Sequence, residues 1–258
     1  MKPPTLISSR ENPVFKRLRL LAQDNTAYRD AGQVWIEGDH LCRALLAHGQ
    51  RPALAVFSQS YWPQAPVELR QAAQQNLLLS DALLTAISGL ESAAALGFVC
   101  KLPQADRLLP GRPAVLLDRL QDAGNVGSIL RSAAAMGFEQ VLALKGTAAL
   151  WSPKVLRAGM GAHFALHLVE GLALTDLGRL ALPLLVTCVH QGEWLHQAQL
   201  PWPCAWVFGH EGQGASPALA ALAAQSLRIA QPGGQESLNV AAAAAICLYA
   251  SASARDLR

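Results

Sequence analysis

Cysteine is scarce and scattered in this chain. Cys42, Cys100, Cys188, Cys204 and Cys247 are odd in number, far apart and form no CxxC pair, which argues against both a disulfide framework and a zinc site. Reduced, mostly buried thiols fit a cytoplasmic protein. Charge is also sparse, at 15% of the 258 positions, but 52% of residues are hydrophobic, enough for a substantial core and against disorder. The first residues hold no apolar run of the kind a secretory signal needs, so no signal peptide is expected. One uncharged stretch, 237–254, is long enough to compare with a membrane span. It is built largely of alanine and serine, too weakly apolar to drive insertion, and a helix packed in a crowded interface is expected instead, with no membrane partner.

The standard nucleotide-binding motifs are missing too. A dinucleotide fold needs GxGxxG after its first strand, whereas the loop after residues 114–118 reads DRLQDAGNVG. The GHEGQG of 209–214 spaces its glycines in reverse and comes late in the chain. No phosphate loop ending in GK[ST] occurs, since Lys145-Gly146-Thr147 has no upstream glycine in register.

What charge there is lies unevenly. The net charge is +3, but residues 1–20 set Lys2, Arg10, Lys16, Arg17 and Arg19 against the single Glu11. That balance suits a polyanion, although a solvated helix face would look the same. Residues 11–24 space Val14, Leu18 and Leu21 as one face of a helix. Strand candidates follow at 33–38, 54–58, 76–80 and 97–102, alternating with helical stretches at 39–48, 66–75 and 80–89. The expectation is a small α/β domain over 1–103. PQADRLLPGRP (103–113) carries three prolines and a glycine, as a linker does, and a second domain is expected over 114–258, with 104–113 joining the two.

In the second domain the apolar runs at 114–118, 141–145, 164–168, 182–189, 204–209 and 227–230 are nearly continuous, as strands buried on both faces are. Helices are expected between most of them, at 125–137, 153–160, 172–180, 216–225 and 237–250. The result is a mainly parallel sheet covered by helices. Three Gly-rich mouths join an apolar run to a helix: QDAGNVGSILRSAAAMGF (121–138), GHEGQGAS (209–216) and IAQPGGQESLNV (229–240). Three such mouths in one domain point to a ligand site at strand ends, although each alone reads equally well as a helix entry, with Ser237 and Asn239 as caps.

These mouths carry a resemblance. Asn125-x-Gly127-x-x-x-Arg131, Phe208-Gly209-x-Glu211-Gly212 and Ser237-Leu238-Asn239-Val240 resemble the three motifs of the SpoU (TrmH-type) RNA 2′-O-ribose methyltransferases, and SPKVLRAGMGAHF (152–164) looks like the same family. The resemblance is close over roughly 113–250. The first 100 residues look, more loosely, like the small RNA-binding α/β domain often attached to such enzymes.

The resemblance implies a deep trefoil knot of the SPOUT type, S-adenosylmethionine held in the knotted loops, and a homodimer formed through helices beside the site. Cofactor contacts carried over by motif are Gly209, Gly212, Ile229 and Leu238. Arg131 would hold the phosphate beside the target ribose and help the 2′-hydroxyl lose its proton, by positioning and electrostatics rather than as a free base. Asn125 would bind the ribose or fix Arg131, Glu211 would orient a partner group, and Ser237 and Asn239 would fix the nucleotide and the third loop. Arg10, Lys16, Arg17, Arg19, Lys154 and Arg157 are the RNA-binding candidates. Lys154 and Arg157 share a helix face on a helix capped by Ser152 and begun by Pro153. No metal is called for.

The chain departs from the family at three places. Ile229-Ala230-Gln231 stands where Ile-Pro-Met is common, and His210 where asparagine usually precedes the glutamate. Without the proline the adenine loop is expected to be looser, and Gln231 replaces an apolar contact with a polar one. The expected activity is methylation of a ribose 2′-hydroxyl in structured RNA, with 23S ribosomal RNA favoured over transfer RNA. The rivals are an RNA-binding protein that keeps the fold without the chemistry and, against the glycine pattern, an NAD-type oxidoreductase.

Overall fold

A computed structural model describes residues 3–88, 94–105, 107–189, 191–234 and 237–256; Lys2, counted in the basic N-terminal stretch, lies outside them. The chain divides into two compact units, Met1–Gln104 with Trp151–Phe164, and Ala105–Leu150 with Ala165–Arg258.

The first unit is an α/β unit built in the order β1 (Thr5–Ile7), α1 (Pro13–Gln23), α2 (Ala27–Ala31), β2 (Gln33–Glu37), α3 (Asp39–Ala47), β3 (Leu54–Ser58), α4 (Val67–Arg70), β4 (Asn76–Leu79), α5 (Asp81–Ile87) and β5 (Leu96–Lys101). Its sheet runs β1-β4-β3-β5-β2. The β1–β4 and β4–β3 pairs are parallel, and β5 is antiparallel to both β3 and β2. Asn12 caps α1 by accepting from the Val14 N–H at 2.9 Å, with Pro13 at the first helical position. The helix buries Phe15, Leu18, Leu21 and Ala22 against the sheet, while Val14 packs at the margin of that core. The expected helix over 66–75 shrinks to a single turn. Asn76 explains the stop: its side-chain amide donates to the Arg70 carbonyl at 2.8 Å and turns the chain into β4.

Residues 151–164 join this unit through packing rather than sequence proximity. Gly161 approaches α3 so closely that a Cβ on it would lie 2.8 Å from Ala44 Cβ, and the Phe164 ring meets His48. Their helix, Pro153–Gly159, is capped by Ser152, which accepts from the Val155 N–H at 3.3 Å.

The second unit contributes β6 (Ala114–Asp118), α6 (Ala123–Ala135) and β7 (Gln140–Leu144); the capped helix just described takes its place in chain order as α7. Then come β8 (His167–Leu172), β9 (Leu184–Thr187), β10 (Glu193–Trp194), β11 (Ala205–Gly209), α8 (Pro217–Leu222), β12 (Gln225–Arg228) and α9 (Val240–Asp256). The sheet order is β10-β12-β9-β11-β6-β7-β8, and its pairs are parallel. All of β6 and β7, and all of β11 but its last residue, are buried, as expected of continuous apolar runs covered on both faces. The run at 164–168 becomes strand only at its end: Ala162–Phe164 is a 3₁₀ turn packed into the first unit, and β8 runs from His167 to Leu172. The helix expected at 172–180 is a 3₁₀ turn, Leu174–Arg179, held by the Asp176 carboxylate accepting from the Ala173 N–H at 2.8 Å, with Gly178 inside it. α9 is anchored on the sheet by the Trp206 indole N–H, which donates to the buried Ser251 hydroxyl at 2.8 Å.

Because the strands run parallel, they deliver their C-terminal ends to one edge of the sheet. The register pairs Gly209 with Asp118, so the first two Gly-rich mouths open side by side.

Candidate active site

The first mouth is organised by helix capping. Asp122 caps α6 by accepting from the Asn125 N–H at 2.7 Å, which fixes Asn125 in the first turn. In the second mouth the chain folds back at once after β11. The Gly214 N–H donates to the His210 carbonyl at 2.8 Å, and the backbone of Gly214 and Ala215 comes so near Gly209 that a Cβ there would lie 2.0 Å from it. Only glycine fits at 209. In the third mouth Asn239 caps α9, accepting from the N–H groups of Ala241 at 2.9 Å and Ala242 at 3.3 Å.

Three side chains from these mouths form one hydrogen-bonded chain. The Glu211 carboxylate accepts from the backbone N–H of Asp122 at 3.2 Å and of Gln121 at 3.5 Å, and from the side-chain amide of Asn125 at 3.3 Å. The Asn239 amide donates to Asn125 Oδ1 at 3.0 Å. The orientations follow from chemistry. A carboxylate only accepts, so the NH₂ of Asn125 must face Glu211. Its oxygen then faces the NH₂ of Asn239, whose own oxygen is left for the start of α9. Partial burial pushes the Glu211 pKa up, but the hydrogen bonds from its own N–H, Asp122, Asn125 and Gln121 outweigh it and hold the carboxyl below the ordinary 4.5. The anion is therefore the state that keeps the chain aligned.

The other candidates stand apart from this chain. Arg131 is exposed on α6 and has no hydrogen bond or ion pair among the described residues. Ser237 lies exposed two residues before the α9 cap, which is Asn239 alone. Ile229 is half-buried, Leu238 is 39% exposed and Gly212 is open to solvent. The six RNA-binding candidates all fall in the first unit, Lys154 and Arg157 included. Arg10 and Arg17 are exposed on or beside α1, while Lys16 pairs with Glu11 at 2.5 Å and Arg19 bonds Gln23 at 3.1 Å. Lys16, Arg19, Leu20, Gln23 and Asp24 line a surface groove of about 480 Å³.

Sequence reasoning missed Asp118, Arg119 and Thr147 at the first mouth. Asp118 is buried at the end of β6 and accepts from the Ser216 N–H at 2.7 Å and from Arg119 Nε at 3.1 Å. The Thr147 hydroxyl accepts from the Arg119 N–H at 3.1 Å. The signal was a carboxylate closing an otherwise apolar run, AVLLD.

With this geometry in hand, comparison with known proteins is specific. The family model described as SpoU rRNA Methylase family matches residues 112–249. A tRNA/rRNA methyltransferase of Synechocystis, itself uncharacterised, is 31% identical, over 94% of this chain and 92% of its own. The 23S rRNA (guanosine(2553)-2′-O)-methyltransferase RlmP of Bacillus subtilis is 31% identical, over 83% of this chain and 86% of its own. Among solved structures, the AdoMet-bound rRNA methyltransferase of Sinorhizobium meliloti superposes with a TM-score of 0.83 over 98% of both chains at 24% identity, a likeness of fold.

Proposed function

The chain belongs to the SpoU rRNA methylase family, and from that premise we propose that it transfers the methyl group of S-adenosylmethionine to a ribose 2′-hydroxyl in structured RNA, 23S ribosomal RNA before transfer RNA. The observation that carries this reading is the Glu211–Asn125–Asn239 chain, which ties three distant segments together at the strand ends.

The residues present fit the cofactor. Ile229 and Leu238 offer a half-buried and a partly exposed apolar side chain against which an adenine ring can lie. Gly212 leaves backbone groups unobstructed by side chains, and Gly209 lets the backbone of Gly214 and Ala215 fold back against it to shape the mouth. When bound, the cofactor would supply an electrophilic methyl on sulfonium; its transfer to the 2′-oxygen would break the S–CH3 bond, leave the thioether product and release the hydroxyl proton to solvent. The chain's own work is alignment. Arg131, with no hydrogen bond or ion pair among the described residues, grips the phosphate beside the target ribose, and its charge favours the developing alkoxide. Asn125 and Asn239, locked by the Glu211 anion, hold the ribose and the third loop in register, and Ser237 adds a hydroxyl contact to the nucleotide.

Cations of the first unit, Arg10, Lys16, Arg17, Arg19, Lys154 and Arg157, hold the RNA. α9 leaves Ile246 41% and Tyr249 62% exposed, an apolar face that a second copy covers, and light scattering should give about twice 27.4 kDa. The polypeptide threads as the trefoil knot of its family, and the protein works in the cytoplasm; among the described residues no helix is long and apolar enough to cross a membrane.

A second reading, the fold kept for RNA binding alone, draws on one observation: among the described residues, Gln231 Oε1 in the third mouth is buried without a hydrogen-bond partner. One experiment separates the two. The protein is incubated with labelled S-adenosylmethionine and unmodified 23S rRNA transcript, and 2′-O-methyl positions are mapped. A single new methyl supports the enzyme. Transcript binding with neither methyl transfer nor calorimetric binding of the cofactor supports the second reading.

A further inference from the structure

Arg119 occupies a backbone conformation that arginine rarely takes. Its φ is +60°, in the left-handed region where glycine or asparagine would sit with less strain, and non-glycine residues held there concentrate at functional sites. The surroundings are built around it. Its N–H donates to Thr147 Oγ1 at 3.1 Å, and that hydroxyl donates to the Leu117 carbonyl at 3.0 Å. Its Nε donates to the buried Asp118 carboxylate at 3.1 Å, and Nη1 reaches Gln213 Oε1 at 3.4 Å. Across from it, Gly146 leaves the room: a Cβ there would lie 3.3 Å from Arg119 Cγ. The side chain is still 37% exposed, and Nη2 has no partner among the described residues.

One edge of the guanidinium is thus fixed to the protein, and the rest of the fork is left at the rim shared by the first two mouths. Two carboxylates stand at that rim, Asp122 and Glu211, and both take their hydrogen bonds from N–H groups rather than from Arg119. A phosphodiester approaching this mouth meets two exposed carboxylates, and the Nη2 edge of Arg119, whose Nε is held by the buried Asp118, offers it a charge-assisted donor. S-adenosylmethionine is a net cation near neutral pH and has no such need. We propose that Arg119 grips a phosphate of the RNA strand at the rim of the mouth, a second phosphate contact alongside Arg131. This rests on the methyltransferase reading for the identity of the strand.

The test uses the full chain with unmodified 23S rRNA transcript. Filter binding is run over a salt series, methylation over a range of transcript concentrations, and calorimetry with S-adenosylmethionine. Arg119→Gly should raise KM for the transcript about tenfold, as loss of one charge-assisted contact does, and lower the salt slope by about 0.7–0.9. Cofactor affinity should stay within about twofold of wild type, since no contact to it is invoked. Arg119→Lys should keep the salt slope but not the affinity, because a point charge lacks the planar fork. A lowered melting temperature with unchanged transcript KM and slope in both variants would make Arg119 structural and overturn the proposal. So would a loss confined to cofactor affinity, which would assign the fork to the cofactor's carboxylate. Wild-type protein that binds the transcript but transfers no methyl sinks the methyltransferase reading instead, while the salt slopes still score Arg119.

Discussion

The five-stranded sheet of the first unit mixes parallel and antiparallel pairs, whereas the seven-stranded sheet of the second is parallel. In the mixed sheet, strand ends point both ways, and the RNA contacts proposed for this unit are separate cations on or beside α1 and α7. In the parallel sheet each crossover leaves from the same edge, so residues 86 and 114 positions apart meet within hydrogen-bond distance. Direction of pairing therefore decides where a polar cluster can form. The first unit offers a charged surface, and the second a preorganised mouth.

The sharpest way to break this contrast is at Arg131. If the mouth does the chemistry, Arg131→Ala should keep the melting temperature and cofactor affinity but lower turnover by about 10²-fold or more, as a positioning loss does. Arg131→Lys should recover little, lacking the fork that grips a phosphate by two bonds. A variant that unfolds earlier yet turns over normally would remove Arg131 from the site.

A smaller effect is expected from the chain behind it. Glu211→Ala and Asn125→Ala should each reduce kcat, and the double variant should cost less than the two effects combined, because each breaks the same network. Acid sharpens the point. Glu211 is held below its ordinary 4.5 in the fold, so its contribution to stability is present above 4.5 and is lost as pH falls through the lower folded value. Acid unfolding followed by circular dichroism should therefore be less steep for Glu211→Gln than for wild type; superimposable acid transitions would count against the aligned-anion role.

The contrast between the units was only partly legible in the sequence. The buried strands of the second sheet could be read because burial on both faces makes continuous apolar runs, and Asn239 as a cap could be read from local chemistry. β1 could not: three residues after two prolines carry no period. The run at 164–168 places the start of β8 too early because Phe164 is apolar for its contact with the His48 ring, not for a sheet. Asn125, Glu211 and Asn239 could be named through family motifs, but their order of donation depends on which atoms meet, and that is a property of the fold. Arg119 was invisible because its signal is a backbone angle.

The first unit's part is more graded. If Arg10 and Arg17 each contact a phosphate, replacing either with glutamine should lower the salt slope of RNA binding by about 0.7–0.9 and leave cofactor affinity unchanged. Lys16→Gln should do less, since Lys16 already spends its charge on Glu11 at 2.5 Å. Slopes that stay at the wild-type value in all three variants would move the RNA face away from α1.

The mildest perturbation compares how the two cores open. Burial pushes the thiols of Cys100 and Cys247 to about 12 and that of Cys204 to about 11, and holds Cys42 well above the ordinary thiol range; Cys188 is half-buried. Thiolate is the reactive form, so iodoacetamide at pH 8 should label native protein at Cys188 alone, and mass spectrometry should find one adduct. Added urea then turns the buried thiols into reporters, Cys42 and Cys100 for the mixed sheet, Cys204 and Cys247 for the parallel one. If the two units unfold as separate cooperative bodies, the adducts should appear in two pairs with different urea midpoints. Simultaneous labelling of all four would mean that one transition governs both sheets, and that a surface of charge and a mouth of aligned amides share a single stability.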